Sequence, residues 1–201
     1  MVNRWADRPE PKPGQGTLYW HVLFRDQPQL QALAAFAQEK LRTFSGLHLT
    51  PKQWLHLTIM AVGSTELFTP SSMEAMIERA RHLLSKVPPA TITFSRVLYH
   101  SEAIMLRAMP IGALDPVSKA IRDASHSTTA EGEVREDDSW IPHVTLAYST
   151  ALQPVAPIVG ALGYELPMCE VTIRSLDLII QEGPERLWQW RSLAELPLGS
   201  S

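Results

Sequence analysis

The sequence predicts an α+β chain built from two similar halves. Two observations lead there. Short runs rich in branched and aromatic residues alternate with amphipathic helical stretches, in the order strand, helix, strand, helix, strands, helix, strand, helix, strands. A matching apolar strand, His56 to Ile59 and then His143 to Leu146, also occurs once in each half.

The elements follow in order. Arg8 to Gly16 contains three prolines that remove backbone donors, so residues 1–16 are expected to form a flexible arm and 17–197 one structured domain, with 198–201 as a tail. Leu18 to Phe24 reads as a strand. Pro28 to Arg42 reads as a helix with Leu30, Leu33, Ala34, Ala37 and Leu41 on one stripe. Leu47 to Gln53 reads as a loop around Pro51, and Trp54 to Val62 as a strand closed by Gly63. A helix follows, capped by Thr69 or Ser71 with Pro70 in its first turn, Met73, Met76, Ile77, Ala80 and Leu84 on its apolar face, and Pro88-Pro89 as its stop. Thr91 to Tyr99 and Ala103 to Ala108 are strands, and Leu114 to Ala124 a helix. Residues 127 to 139 are polar and acidic and read as a loop or lid. Ile141 to Tyr148 is a strand and Val155 to Leu162 a short helix. Glu170 to Gln181 pairs with Arg186 to Leu193 around Gly183-Pro184, which puts Trp188 and Trp190 on one face of a last strand.

Composition removes several function classes. With 201 residues, 45% apolar and 19% charged, the chain is globular rather than disordered. A net charge of −3 argues against a basic surface for long nucleic acid, while leaving small substrates and oligonucleotide ends. The single cysteine, Cys169, offers no internal disulfide and no zinc cluster, which suits a reducing, cytoplasmic setting. No apolar run reaches the roughly 18 residues of a membrane span, and no signal-peptide pattern opens the chain.

Chemistry is sought among the seven histidines. Four begin a His-x-Thr triplet (His48, His56, His126 and His143), so the triplet alone says little. His56 and His143 differ because they lie inside apolar strands. Alternation then puts His56 with Thr58, and His143 with Thr145, on one face while Leu57, Ile59, Val144 and Leu146 enter the core. A lone strand histidine beside a threonine is usually a half-buried residue satisfied by its neighbours. Two such pairs, 87 residues apart, reverse that preference. Facing each other, two imidazoles serve as general acid and base near neutrality, and two hydroxyls hold the non-bridging oxygens of a phosphodiester. Threonine is a poor metal ligand and no carboxylate stands beside either histidine, so no metal and no cofactor is expected.

The stretches Trp54-Leu55-His56-Leu57-Thr58-Ile59-Met60-Ala61-Val62-Gly63 and Trp140-Ile141-Pro142-His143-Val144-Thr145-Leu146-Ala147-Tyr148 resemble the two motifs of the 2H phosphoesterase superfamily, in its bacterial 2′-5′ RNA ligase-like, RNA 2′,3′-cyclic phosphodiesterase branch. The resemblance implies a bilobal α+β fold, two pseudo-symmetric lobes of antiparallel sheet with outer helices around a central cleft, and no metal. It places catalysis on His56 and His143, with the first as acid and the second as base, and phosphate binding on Thr58 and Thr145. Substrates would be RNA ends or small cyclic nucleotide phosphodiesters. No obligate protein partner is needed, because pseudo-symmetry builds a two-sided site in a monomer.

Trp54 shares the strand parity of His56 and is a candidate for stacking on a base. Tyr19 and His21 share a face of the first strand and are candidates to line the cleft, although ordinary packing explains them as well. Arg107 and Arg135 are weaker candidates for a substrate phosphate. The near-neutral pI and the acidic stretch before His143 favour small cyclic phosphates over long RNA. End joining uses the same residues in reverse. A non-catalytic binder of nucleotides or RNA ends, or an interaction module with core histidines, are the readings outside enzymology.

Overall fold

The computed structural model describes residues 1–8, 12, 15–126 and 140–199. Nine strands and four α-helices follow one another among them as β1 (Gly16–Leu23), α1 (Pro28–Leu41), β2 (Leu47–Leu49), β3 (His56–Ser64), α2 (Pro70–Leu84), β4 (Ala90–Tyr99), β5 (Ala103–Met109), α3 (Asp115–His126), β6 (His143–Ser149), α4 (Ala156–Leu162), β7 (Glu165–Ile173), β8 (Ser175–Glu182) and β9 (Trp190–Pro197). All strand pairs are antiparallel. One sheet has the order β3-β1-β8-β9, the other β2-β6-β5-β4-β7. The fold is α+β and bilobal, one sheet to each lobe.

Helices cross between the lobes. α1 leaves β1 of the first sheet but packs on β6 and β7 of the second, and α3 leaves β5 of the second but packs on β3 and α2 beside the first. The expected stripe of α1 is buried in full. Thr69 caps α2 through a reciprocal box with Ser72, and Pro70 occupies the first turn, where no backbone donor is lost. Burial of Leu18, Trp20, Leu57, Ile92, Leu106, Ile121 and Leu178 in one contiguous core ties both sheets to their helices.

Five expectations need correction. The run 170–181 is not one strand: β7 ends at Ile173, Arg174 breaks it, and β8 starts in the other sheet, so the chain changes lobe there. Apolar residues stand on both sides of Arg174-Ser175 (Val171 and Ile173 before, Leu176 and Leu178 after), and a polar pair inside such a run does not by itself mark a change of sheet. The segment 47–53 holds a short strand, β2, paired with β6, and a 3₁₀ turn over Lys52–Trp54, so the second strand begins at His56 and not at Trp54. Trp188 lies outside the last strand in the left-handed region at φ 54°, and only Trp190 belongs to β9. Residues 1–8, part of the expected arm, are laid along the second lobe: the Val2 amide donates to Ser101, the Arg4 amide to Ser149, and the Met1 ammonium to Gln153. Hydrogen bonds and ion pairs hold what apolar pattern could not predict. In the expected tail, Leu198 is buried and the Leu198 and Gly199 amides donate to Arg174 and Leu84. The acidic stretch 127–139 and Arg135 lie outside the described residues.

Candidate active site

β3 and β6 carry the two motifs, and both strands bulge at the same place in the motif. Opposite β1, the ladder pairs His21 with Thr58 and Trp20 with Met60, skipping Ile59. Opposite β5, it pairs Met105 with Thr145 and Ile104 with Ala147, skipping Leu146. The skipped residue directly follows the motif threonine each time. Each bulge keeps histidine and threonine on the cleft side and reverses the parity of the residues after it. In β6 the reversal turns Tyr148 into the cleft and Ala147 into the core. The Leu146 carbonyl at the bulge is held by the Thr50 amide at 3.0 Å and by Gln38 Nε2 at 2.9 Å.

His56, Thr58, His143 and Thr145 line one cavity of about 780 Å³, together with Tyr19 and His21. His56 Nδ1 donates to the Trp54 carbonyl at 2.8 Å, and His143 Nδ1 to the Ile141 carbonyl at 2.7 Å. In both cases the acceptor lies two residues before the histidine. A carbonyl accepts only, so each Nδ1 carries hydrogen and each Nε2 is left as the titrating nitrogen.

Trp54 contributes that carbonyl, while its indole packs edge-on against Trp190 at 4.9 Å. Parity cannot assign it to the cleft because it belongs to the 3₁₀ turn. Trp140 lines the cavity and its indole donates to the Thr58 carbonyl at 3.2 Å, tying the approach to β6 to the motif of β3.

Aromatic rings enclose His56. His21 stacks on it at 4.4 Å, and Trp190 and Trp188 meet it edge-on at 4.9 and 5.8 Å. Burial among them disfavours imidazolium and pushes His56 down to about 4, despite the Trp54 carbonyl and Glu185, which favour the charge. His143 is lowered by burial as well, with Arg4 and His100 adding repulsion against the Ile141 carbonyl. His21 is lowered well below the usual range by burial and by His56.

Sequence reasoning missed Arg4, Tyr148, Trp140 and Glu185, all of which line the cavity. The Arg4 guanidinium sits 4.5 Å from the centre of the Tyr148 ring and pairs with Glu185 at 2.5 Å and Glu102 at 3.0 Å. Nothing in a short polar segment before the first strand signals this. Arg107 stands opposite His143 in the β5–β6 ladder.

The arrangement offers two fixed imidazoles and two hydroxyls to one ligand. The profile of the 2′-5′ RNA ligase superfamily matches residues 24–185. Among curated proteins none matches the chain. Among solved structures, TT0787 of Thermus thermophilus is similar at 20% identity and a TM-score of 0.69, over 91% of this chain and 98% of that one. LigT of E. coli in complex with 3′-AMP follows at 15% identity and a TM-score of 0.65, over 92% and 98%. The MHV ns2 PDE domain aligns at 14% identity and 0.55, over 84% and 99%. At such identities these likenesses establish the fold.

Proposed function

Because the chain belongs to the 2′-5′ RNA ligase superfamily, whose profile covers residues 24–185, we propose that it is a metal-independent phosphodiesterase that opens 2′,3′-cyclic phosphates at RNA ends or on small nucleotides. One observation carries the reading: both motif histidines are anchored through Nδ1 on a backbone carbonyl two residues upstream, inside a cavity they share with Thr58 and Thr145.

Catalysis then proceeds by in-line hydrolysis. One neutral imidazole accepts a proton through Nε2 from the water whose oxygen bonds to phosphorus. The other, protonated, gives its Nε2 proton to the ribose oxygen as the ring P–O bond breaks. Thr58 and Thr145 donate hydrogen bonds to the non-bridging oxygens, which gain charge in the transition state. The product is a phosphomonoester beside a free hydroxyl, and the imidazoles return to their starting forms by proton exchange with solvent. In the assignment implied by the family resemblance, His56 is the acid and His143 the base. The phosphate of a bound substrate favours imidazolium and offsets the burial that keeps both rings neutral in the free enzyme.

Nucleotide substrates are supported by size and by kinship. A cavity of about 780 Å³ suits a nucleotide or two, and E. coli LigT is known in complexes with 3′-AMP, ATP, NADP+ and phosphate. Both halves of the site lie within one chain, so a monomer suffices. A single free cysteine, Cys169, suits work in a reducing cytoplasm.

The test is hydrolysis of a 2′,3′-cyclic-phosphate-ended oligonucleotide and of free 2′,3′-cyclic nucleotides with EDTA present, alongside the His56→Ala and His143→Ala variants. Turnover that resists EDTA and is lost by orders of magnitude in both folded variants is expected. Undiminished turnover in either variant overturns the mechanism. Joined oligonucleotides would identify the reverse reaction, and tight binding without product would identify a binder.

A further inference from the structure

His21 is a third histidine in the site, and the two-histidine reaction gives it no task. It lies on β1 beside β3, is 2% exposed, and places Nε2 3.1 Å from Thr58 Oγ1. Among the described residues its buried Nδ1 has no hydrogen-bond partner. These facts favour one tautomer, because Nδ1 lacks a partner in both and a buried orphan N–H costs more than a buried lone pair. Hydrogen on Nδ1 would bury a donor with nothing to receive it, whereas hydrogen on Nε2 has the threonine oxygen as acceptor. Burial and the adjoining His56 ring both oppose a doubly protonated His21.

The direction of this bond matters for Thr58. A hydroxyl has one hydrogen. If Thr58 gave it to His21, only oxygen lone pairs would face the phosphate, and they would repel it. With His21 as donor, the threonine oxygen is satisfied from behind and its own hydrogen is free to point into the cleft. We propose that His21 is a positioning residue that holds Thr58 as a hydrogen-bond donor to the substrate's phosphate. The inference rests on the reading of Thr58 as a phosphate-binding residue.

A double-mutant cycle tests it, using His21→Leu, His21→Gln, Thr58→Val and His21→Leu/Thr58→Val, with His56→Ala as reference. Two quantities are read: kcat/KM on a 2′,3′-cyclic nucleotide and the Kd of inorganic phosphate by calorimetry. His21→Leu and Thr58→Val are each expected to weaken both about tenfold, the size of one hydrogen bond to a charged group. The double variant should lose no more than either single one, because both remove the same interaction. His21→Gln keeps an N–H at similar reach and should recover most of the loss, which a packing role would not predict. Additive losses, or phosphate binding unchanged in His21→Leu but weakened in Thr58→Val, would overturn the proposal while leaving the site intact. Unchanged phosphate affinity and turnover in Thr58→Val and His56→Ala would overturn the site reading and the proposal with it.

Discussion

His21 and His56 lie face to face, with ring centroids 4.4 Å apart and planes 20° from parallel. A charge on either ring therefore opposes a charge on the other; His21 is buried and His56 half-buried, and desolvation lowers both. The free enzyme keeps its imidazoles neutral further into acid than ordinary histidines do.

This sets the pH dependence of the reaction. In the proposed two-histidine mechanism one motif histidine must hold a proton while the other lacks it, and kcat/KM reports the free enzyme. His56 stands at about 4 and His143 below its usual 6.5. The expected profile is a bell centred on the acid side of pH 6.5, rising as pH falls from 8 and collapsing near 4, where both rings are protonated. Measurement of kcat/KM from pH 3.5 to 8.5 checks it. An optimum above pH 7 would contradict the burial of these rings.

The same groups tie folding to pH. A histidine whose folded pKa is lowered binds fewer protons in the native state than in the unfolded one. Its contribution is neutral above the unfolded value of about 6.5 and becomes a penalty as pH falls. For His56, with a folded value of about 4, the penalty grows through the window from 6.5 to 4 and reaches roughly 3 kcal/mol at its lower end. Denaturant melts of wild type and His56→Phe should show the wild type losing more stability across that window. Equal slopes would mean that His56 titrates normally.

Much of this site is legible in the sequence because it depends on period-2 alternation in apolar strands. His56, Thr58, His143 and Thr145 reach one cavity by that rule. The rule fails where backbone registers change. Tyr148 faces the cleft only because Leu146 is skipped in the ladder, and a bulge has no side-chain signature. Trp188 comes to His56 through a left-handed backbone position, and Trp54 through a 3₁₀ turn. Arg4 is invisible to pattern because its docking rests on ion pairs with residues 98 and 181 positions away. In the fold, the antiparallel hairpins and amphipathic helices follow local pattern, whereas the change of sheet at Arg174 depends on tertiary contacts.

The bulge of β6 has a side-chain support that can be removed. Gln38 Nε2 on α1 donates to the Leu146 carbonyl at 2.9 Å and to the Thr50 carbonyl at 2.7 Å. Gln38→Met keeps the volume and removes both bonds. Stability should fall by about 1–2 kcal/mol, as for partly buried hydrogen bonds. Because the bulge aims Thr145 and Tyr148, kcat should fall as well. Retention of full kcat alongside the loss of stability would show that the bulge holds its shape without Gln38.

Arg4 joins the two lobes at one end of the cleft. Its guanidinium pairs with Glu102 in the β4–β5 turn of one sheet and with Glu185 in the β8–β9 connection of the other. The side chains of Arg4, Glu102 and Glu185 are only 17%, 25% and 29% exposed, so removing the cation leaves carboxylates poorly solvated. Arg4→Met should cost about 1–3 kcal/mol near pH 7, more than an exposed pair and less than a fully buried one. The effect carries its own pH signature. Burial raises the Glu185 pKa, but Arg4, Arg8 and Trp5 outweigh it and hold the value below the ordinary 4.5. That stability is present above pH 4.5 and is lost as pH falls through the lowered folded value, where the carboxyl is protonated and no longer needs its partner. The gap between wild type and Arg4→Met in urea melts should therefore narrow from pH 7 to pH 3.5. A gap of constant size would assign the role of Arg4 to packing over the Tyr148 ring and not to its charge.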